Sequence, residues 1–174
     1  MTKQAYAALA LAAVFNVYSG QNFNVSFETY NVTRFMSGIE PIWTYNTTEH
    51  ATYKCKVDTI EETTKTYVHF NRSYHSANKS WETTLLTGTF QNPNLMAVGG
   101  RDSMADHTET LEFASKTYQC GVFYVRYLHG SGGWRDLRFK DTNGTSKPEK
   151  ECMKYFRTMP NSTRVFYKFC KQFT

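Results

Sequence analysis

The chain has 174 residues, a formal net charge of +5 and an aromatic content of 16%. Its Lys and Arg residues are scattered, the pattern of a solvated surface and not of a nucleic-acid footprint. Its length suits one domain, and its four cysteines, Cys55, Cys120, Cys152 and Cys170, are too widely spaced for a zinc ribbon and contain no Cys-X-X-Cys.

The first residues, Met-Thr-Lys, form a short positive region, followed by an apolar stretch over 5–17. That stretch is too short to span a bilayer, which needs roughly 20 apolar residues. Val17 and Ser19 occupy the small-residue positions of a cleavage site. Residues 1–20 therefore read as a removed signal peptide and 21–174 as the mature domain. The expectation is a secreted, extracellular protein with no membrane span. An even number of cysteines in an oxidising compartment points to two disulfides, with three pairings open.

Asn-X-Ser/Thr triplets begin at Asn24, Asn31, Asn46, Asn71, Asn78, Asn143 and Asn161. Chance would place only about two in this composition, so the chain reads as a glycoprotein. A glycan-bearing side chain must face water, so each triplet also marks a face of its strand that cannot be core.

Between the leader and the first strand, residues 27–36 fit either a short helix or an irregular plug. Eight strand-like runs follow at 41–47, 53–61, 66–74, 81–90, 95–99, 109–115, 121–129 and 134–140. They are rich in aromatic and β-branched residues and separated by polar turns. Asn78-Lys79 forms one turn, and Gly130-Ser131-Gly132-Gly133 another. This spacing predicts an all-β antiparallel sandwich or barrel. After the strands, Ser146-Lys147-Pro148-Glu149 matches a capping box, with Pro in the first turn. Cys152, Tyr155, Phe156 and Met159 then make one apolar helical stripe, which Pro160 stops. A last extended run covers 164–173.

Side chains alternate across a strand, so solvent-facing markers assign the other face. A glycan on Asn46 sends Trp43 and Tyr45 inward. One on Asn71 sends Tyr67 and His69 outward, and Val68 and Phe70 inward. With Glu82 outward, Trp81, Thr83 and Leu85 point in. With Glu112 outward, Leu111 and Phe113 point in. Arg126 outward places Phe123, Val125 and Tyr127 inside, and Arg138 with Lys140 outward places Leu137 and Phe139 inside. The expected interior is aromatic and almost free of charge. An eight-stranded barrel has room for a filled core or for one small ligand, and on the pattern alone the filled core is the favoured reading.

Several segments carry a resemblance. They are Ile-Trp-Thr-Tyr-Asn at 42–46, Tyr-Lys-Cys-Lys-Val at 53–57, Tyr-Val-His-Phe-Asn at 67–71 and Cys-Gly-Val-Phe-Tyr-Val at 120–125. Glu-Cys-Met-Lys-Tyr-Phe at 151–156 and Phe-Tyr-Lys-Phe-Cys at 166–170 complete the set. Together they resemble the salivary lipocalins of ticks, the histamine-binding protein family. The run Phe-Asn-Val-Ser-Phe-Glu-Thr-Tyr-Asn-Val-Thr-Arg-Phe at 23–35 is most similar to the japanin clade of dendritic-cell modulators, which bind cholesterol. The resemblance implies an eight-stranded antiparallel up-and-down barrel with a C-terminal α-helix packed outside. It also implies the pairings Cys55–Cys170 and Cys120–Cys152.

The function it implies is capture of a small apolar host molecule, a sterol such as cholesterol or another lipid, and modulation of host immunity through immune cells such as dendritic cells. The expected pocket is Trp43, Tyr45, Val68, Phe70, Trp81, Leu85, Leu111, Phe113, Phe123, Val125, Tyr127, Leu137 and Phe139. Two alternatives stand beside this. One is scavenging of a biogenic amine, histamine or serotonin. That needs inward carboxylates, yet alternation turns Glu82, Glu112 and Asp136 outward and leaves Asp58 unassigned. The other is a surface that binds a host protein or immune-cell receptor with no pocket function. His50, His69, His75, His107 and His129 fall at turns and outward positions, without metal-ligand spacing, and no nucleophile motif appears. The expectation is a monomeric binding protein, not an enzyme, with no cofactor and no metal.

Overall fold

The computed structural model describes residues 29–78, 80–142 and 144–173. The expected signal peptide over 1–20, Asn24 and Asn143 lie outside them. In chain order the elements are α1 (Val32–Phe35), β1 (Ile42–Thr47), β2 (Lys54–Thr63), β3 (Tyr67–His75), β4 (Trp81–Asn92), β5 (Leu95–Gly100), β6 (His107–Ala114), β7 (Cys120–Tyr127), β8 (Gly133–Lys140), α2 (Lys150–Phe156) and β9 (Thr163–Arg164), followed by a 3₁₀ segment, Lys168–Phe173.

Consecutive strands from β2 through β8 pair antiparallel. β1 closes the ring. It pairs with β8 (Trp43 opposite Phe139) and with β2 (Trp43 opposite Val57). A sandwich has open sheet edges; here β1–β8 are joined edge to edge, and closure is what removes unpaired strand edges. The eight expected runs are thus the eight staves of one up-and-down barrel. The short β9 bonds to the far end of β1, with Asn46 opposite Arg164 and Thr47 opposite Thr163.

Two apolar clusters form, one on each side of the wall. The first draws Ile42, Val68, Phe70, Leu86, Met96, Val98, Leu111 and Phe123 from strands all around the ring, together with Val32, Phe35 and Met36 from the N-terminal segment. That is the lumen, stoppered at one end by α1. Asn31 caps this helix, its Oδ1 accepting from the Arg34 N–H at 2.8 Å. The Val32 N–H donates to the Pro93 carbonyl at 2.7 Å, which docks the helix against the β4–β5 turn. Segment 27–36 is therefore both a short helix and a plug over its described part.

The second cluster lies on the outer wall. Trp43, Val57, Val122, Leu137 and Phe139 pack there under Cys152 and Phe156 of α2 and Phe166 of the C-terminal segment. Cys55 is bonded to Cys170 and Cys120 to Cys152, the pairing the resemblance implied. The two bridges staple the C-terminal segment and α2 to the barrel, and each contributes roughly 2–4 kcal/mol by restricting the unfolded chain.

Two expectations about the C-terminal region change. α2 starts at Lys150 with Glu149 at its N-cap, not at Ser146, and Ser146 has a positive φ of 56°. The Glu149 carboxylate accepts from the Thr117 hydroxyl at 2.9 Å instead of folding back on its own helix, so it holds the helix start to the β6–β7 loop. The helix ends at Phe156, before Pro160, and residues 164–173 hold two strand residues and a 3₁₀ segment in place of one extended run.

Candidate functional site

The lumen has three levels. At the closed end are the aromatic and aliphatic side chains around α1. At the open end is a cavity of about 550 Å³. Between them lies a layer of buried charge, which overturns the expectation of an uncharged interior.

The layer contains Lys56, Asp58, Arg72, Glu109, Asp136 and Arg138. Arg138, Asp136 and Glu109 have no exposed side-chain surface. Arg138 donates from Nη1 to Glu109 at 2.5 Å and from Nη2 to Asp136 at 3.1 Å. Arg72 grips Asp58 with both Nε (2.7 Å) and Nη2 (2.8 Å), and its Nη1 reaches Glu109 at 2.8 Å. Lys56 Nζ bonds Asp136 at 2.9 Å. Three cations meet three carboxylates, so the layer is formally neutral. Burial alone would raise the Glu109 carboxyl, but Arg138 and Arg72 outweigh it and hold the group well below the usual carboxylate range. Asp136 is likewise held down by Lys56 and Arg138 against its burial. Charge-assisted, partly bidentate pairing is what makes such a layer tolerable inside a barrel.

The cavity sits on this floor, with Lys56 and Arg72 in its base. Its walls carry Tyr53, Tyr74, Tyr127 and Trp134. Its rim carries Glu49 from the β1–β2 loop, Glu82 from β4 and Asp106 from the β5–β6 loop. Tyr53 donates to Glu49 at 2.6 Å and Tyr74 to Glu82 at 2.7 Å, fixing both carboxylates. Burial, then the charges of Asp136 and Glu49, raises the Tyr53 phenol far above its ordinary range, so it remains a donor. Asp106 pairs with the His107 ring, whose Nε2 lies 3.3 Å from Glu109. No Lys or Arg among the described residues forms an ion pair with Glu49, Glu82 or Asp106. The indole N–H of Trp134 is buried and has no hydrogen-bond partner. The rim is thus acidic, the walls aromatic and the floor charged but neutralised.

The sequence-predicted pocket residues divide sharply. Val68, Phe70, Leu111, Phe123 and Val125 face the lumen, as expected, but the first four belong to the packed apolar layer or its edge, and Tyr127 is the member of the predicted set that lines the cavity. Trp43, Tyr45, Leu137 and Phe139 lie on the outer wall under α2 and the C-terminal segment. Phe113 is also outside, stacked on Tyr155 of α2 with centroids 4.7 Å apart. Trp81 and Leu85 face outward on β4, Leu85 with 49% exposure, while Glu82, Thr84 and Leu86 face in.

Each reversal has a physical cause. Alternation treats Arg138 and Lys140 as solvent markers, but Arg138 is buried and ion-paired through Nη1 and Nη2 inside the lumen. Lys140 Nζ donates to the Ser37 carbonyl at 2.6 Å and lies over the Phe35 ring. Bulges between Thr44 and Asn46 and between Leu111 and Phe113 break the alternation on β1 and β6. Glu82 marks the wet mouth of the lumen, not the outside. Asp136 and His107 also point inward, contrary to the outward assignment, and so does Asp58, whose facing alternation leaves open. Glu112 is outward as expected, paired with Arg135 at 2.7 Å.

Lys56, Arg72, Tyr74 and Glu109 were missed, although two of the signals were present. Val68 and Phe70 inward carry Arg72 and Tyr74 inward at the same parity, and Leu111 inward carries Glu109. Glu49, Tyr53 and Asp106 reach the mouth from or beside loops, where alternation says nothing.

A closed eight-stranded antiparallel barrel, stoppered at one end, open at the other and carrying a helix on its outer wall, is the lipocalin fold. The chain is similar to japanin from Rhipicephalus appendiculatus, solved bound to cholesterol, with a TM-score of 0.55 and 10% identity over 75% of this chain and 93% of that one. It is also similar to apocrustacyanin C1 (TM-score 0.54, 9% identity, 76% of this chain and 77% of that one). A third likeness is to the siderocalin Ex-FABP (TM-score 0.51, 8% identity, 69% and 82%). At these identities the likeness is one of fold. No protein-family model and no curated protein matches the sequence.

Proposed function

We propose that the protein is a ligand-capturing lipocalin whose open end takes a small organic cation with an aromatic body, of the kind represented by histamine and serotonin. The observation that carries this is the rim. Three carboxylates, none with a Lys or Arg partner among the described residues, stand around a cavity walled by four aromatic rings. A cation there gains both carboxylate and ring-face attraction. The cavity of about 550 Å³ falls within the usual range for small-molecule sites. An acceptor on the ligand would also satisfy the Trp134 N–H.

A sterol fits this geometry less well than it fitted the sequence. Its apolar body would press on Lys56 and Arg72, and the greasy half of the lumen is filled by Phe35, Phe70 and Phe123. The remaining steps extend the salivary-lipocalin resemblance. The protein would be secreted as a monomer after loss of residues 1–20 and would modulate host immunity by withdrawing an amine mediator. Direct action on dendritic cells or a host receptor is the competing surface-borne route.

Titration calorimetry with histamine, serotonin and cholesterol tests the reading. An amine should bind, and the double variant Glu49→Gln/Glu82→Gln should weaken it by about tenfold or more, the equivalent of one lost ion pair. Cholesterol binding with no amine binding would overturn it. If immune-cell effects persist in the double variant, they belong to the surface.

A further inference from the structure

We propose that Asn78 is a glycosylation site whose sugar roofs the open end of the barrel and limits the size of what enters. Among the described asparagines that begin a triplet, Asn78 is the one that lines the cavity. Asn31 caps α1 at the closed end. Asn71 faces the outer wall, its Nδ2 donating to Glu61 at 2.8 Å. Asn46 sits at the junction of β1, β8 and β9, and Asn161 lies beyond α2.

The two ends of the turn that carries Asn78 are bonded to each other. The turn joins β3 to β4 directly after the His75–Trp81 pair. The Ser76 N–H donates to the Ser80 carbonyl at 2.9 Å, and the two serine hydroxyls are 3.0 Å apart. Ser76, Ala77 and Asn78 all border the cavity, while the Asn78 side chain is exposed to solvent. A group attached there begins at the edge of the opening. Tyr127, which lines the cavity, and Leu128 next to it in the chain are about half exposed and offer apolar surface to a sugar face.

The chemistry needs a lipid-pyrophosphate-linked oligosaccharide as donor. The Asn78 side-chain nitrogen attacks the anomeric carbon, forming an N–C bond as the C–O bond to pyrophosphate breaks. The amide nitrogen loses one proton, and the lipid pyrophosphate leaves with the electron pair. The inference rests on the cavity being the binding site but not on the charge of the ligand.

The protein would be secreted from a eukaryotic cell line in a Trp43→Phe/Trp81→Phe background, which leaves Trp134 in the cavity wall as the sole indole. Glycopeptide mass spectrometry reads occupancy at Asn78. Fluorescence quenching of Trp134 by acrylamide, and by a bulky neutral nitroxide, reads access without any ligand. Three samples are compared: the fully glycosylated protein, the same folded protein trimmed by an endoglycosidase, and Asn78→Gln, with Asn161→Gln as control. The expected result is an occupied Asn78, little change with acrylamide, and quenching by the bulky probe raised about threefold or more on trimming or in Asn78→Gln, an encounter-rate effect. Asn161→Gln should resemble the parent.

An unmodified Asn78, or equal bulky-probe quenching in all samples, overturns the proposal. Trimming acts on protein that is already folded, so a folding defect in Asn78→Gln cannot mimic the result. Histamine affinity measured on the same samples separates the two readings. Its absence alongside a clear quenching difference removes the amine and keeps the glycan roof.

Discussion

Glu109 joins the guanidinium groups of Arg72 and Arg138 across the lumen, with His107 beside it. Removing one member of a buried, charge-balanced set strands its partners, because the desolvation cost remains while the compensating attraction goes. Glu109→Gln is therefore expected to lower unfolding stability by about 3–5 kcal/mol. Arg135→Gln, which breaks the half-exposed pair with Glu112 on the outer wall, should cost less than about 1 kcal/mol. Urea titration of both variants checks the contrast, and equal losses would contradict the ordering. These residues also show where single positions were legible. Val68, Phe70, Leu111, Phe123 and Val125 were assigned inward correctly because an apolar residue between outward markers has one place to go. Taking every charge to face water puts Arg138 and Asp136 outside, and that rule fails where opposite charges from β2, β3, β6 and β8 converge in one layer.

Strands β6 and β8 show how a face is reversed, in part on β6 and along its length on β8. β8 carries Asp136, Arg138 and Lys140 on the lumen side and Leu137 and Phe139 on the outer side, so its amphipathic pattern is inverted relative to a simple barrel. The outer face is dry because α2 and the C-terminal segment cover it, and Cys120–Cys152 and Cys55–Cys170 keep them there. On β6 the bulge after Leu111 places Phe113 outside, where it meets Tyr155. Phe113→Ala should thus loosen α2 and reduce stability by roughly 1–3 kcal/mol through lost apolar contact, while leaving ligand affinity unchanged. Tyr127→Ala at the mouth should do the reverse. Calorimetric binding and thermal melts of the two variants distinguish these outcomes; impaired binding in Phe113→Ala with normal stability would place that ring functionally inside.

For the whole molecule, the charge layer sets a pH window. Glu109 and Asp136 have folded-state pKa values below their unfolded ones, about 4. The unfolded chain therefore binds more protons in acid. Their contribution is complete above about pH 5 and is lost as pH falls through the depressed folded values. Tyr53 acts oppositely. Its folded pKa is raised, so its contribution holds below the unfolded phenol value of about 10 and is lost as pH climbs further. Urea midpoints should be flat between about pH 5 and 10 and decline on both sides, and Glu109→Gln should soften the acid limb.

The chain by itself determined the eight barrel strands and their order along the chain, because period-two patterning and turn chemistry are local. Through resemblance it also implied the barrel and both disulfide pairings. Only the tertiary structure decided which face of each strand is lumen. That depends on bulges, on the covering of one outer wall by α2 and the C-terminal segment, and on Lys56, Arg72 and Arg138 finding Asp58, Glu109 and Asp136. A buried charge is stable only beside its partners, and although Asp136 and Arg138 share β8, the layer is completed by Lys56 and Asp58 on β2, Arg72 on β3 and Glu109 on β6, which no local pattern brings together.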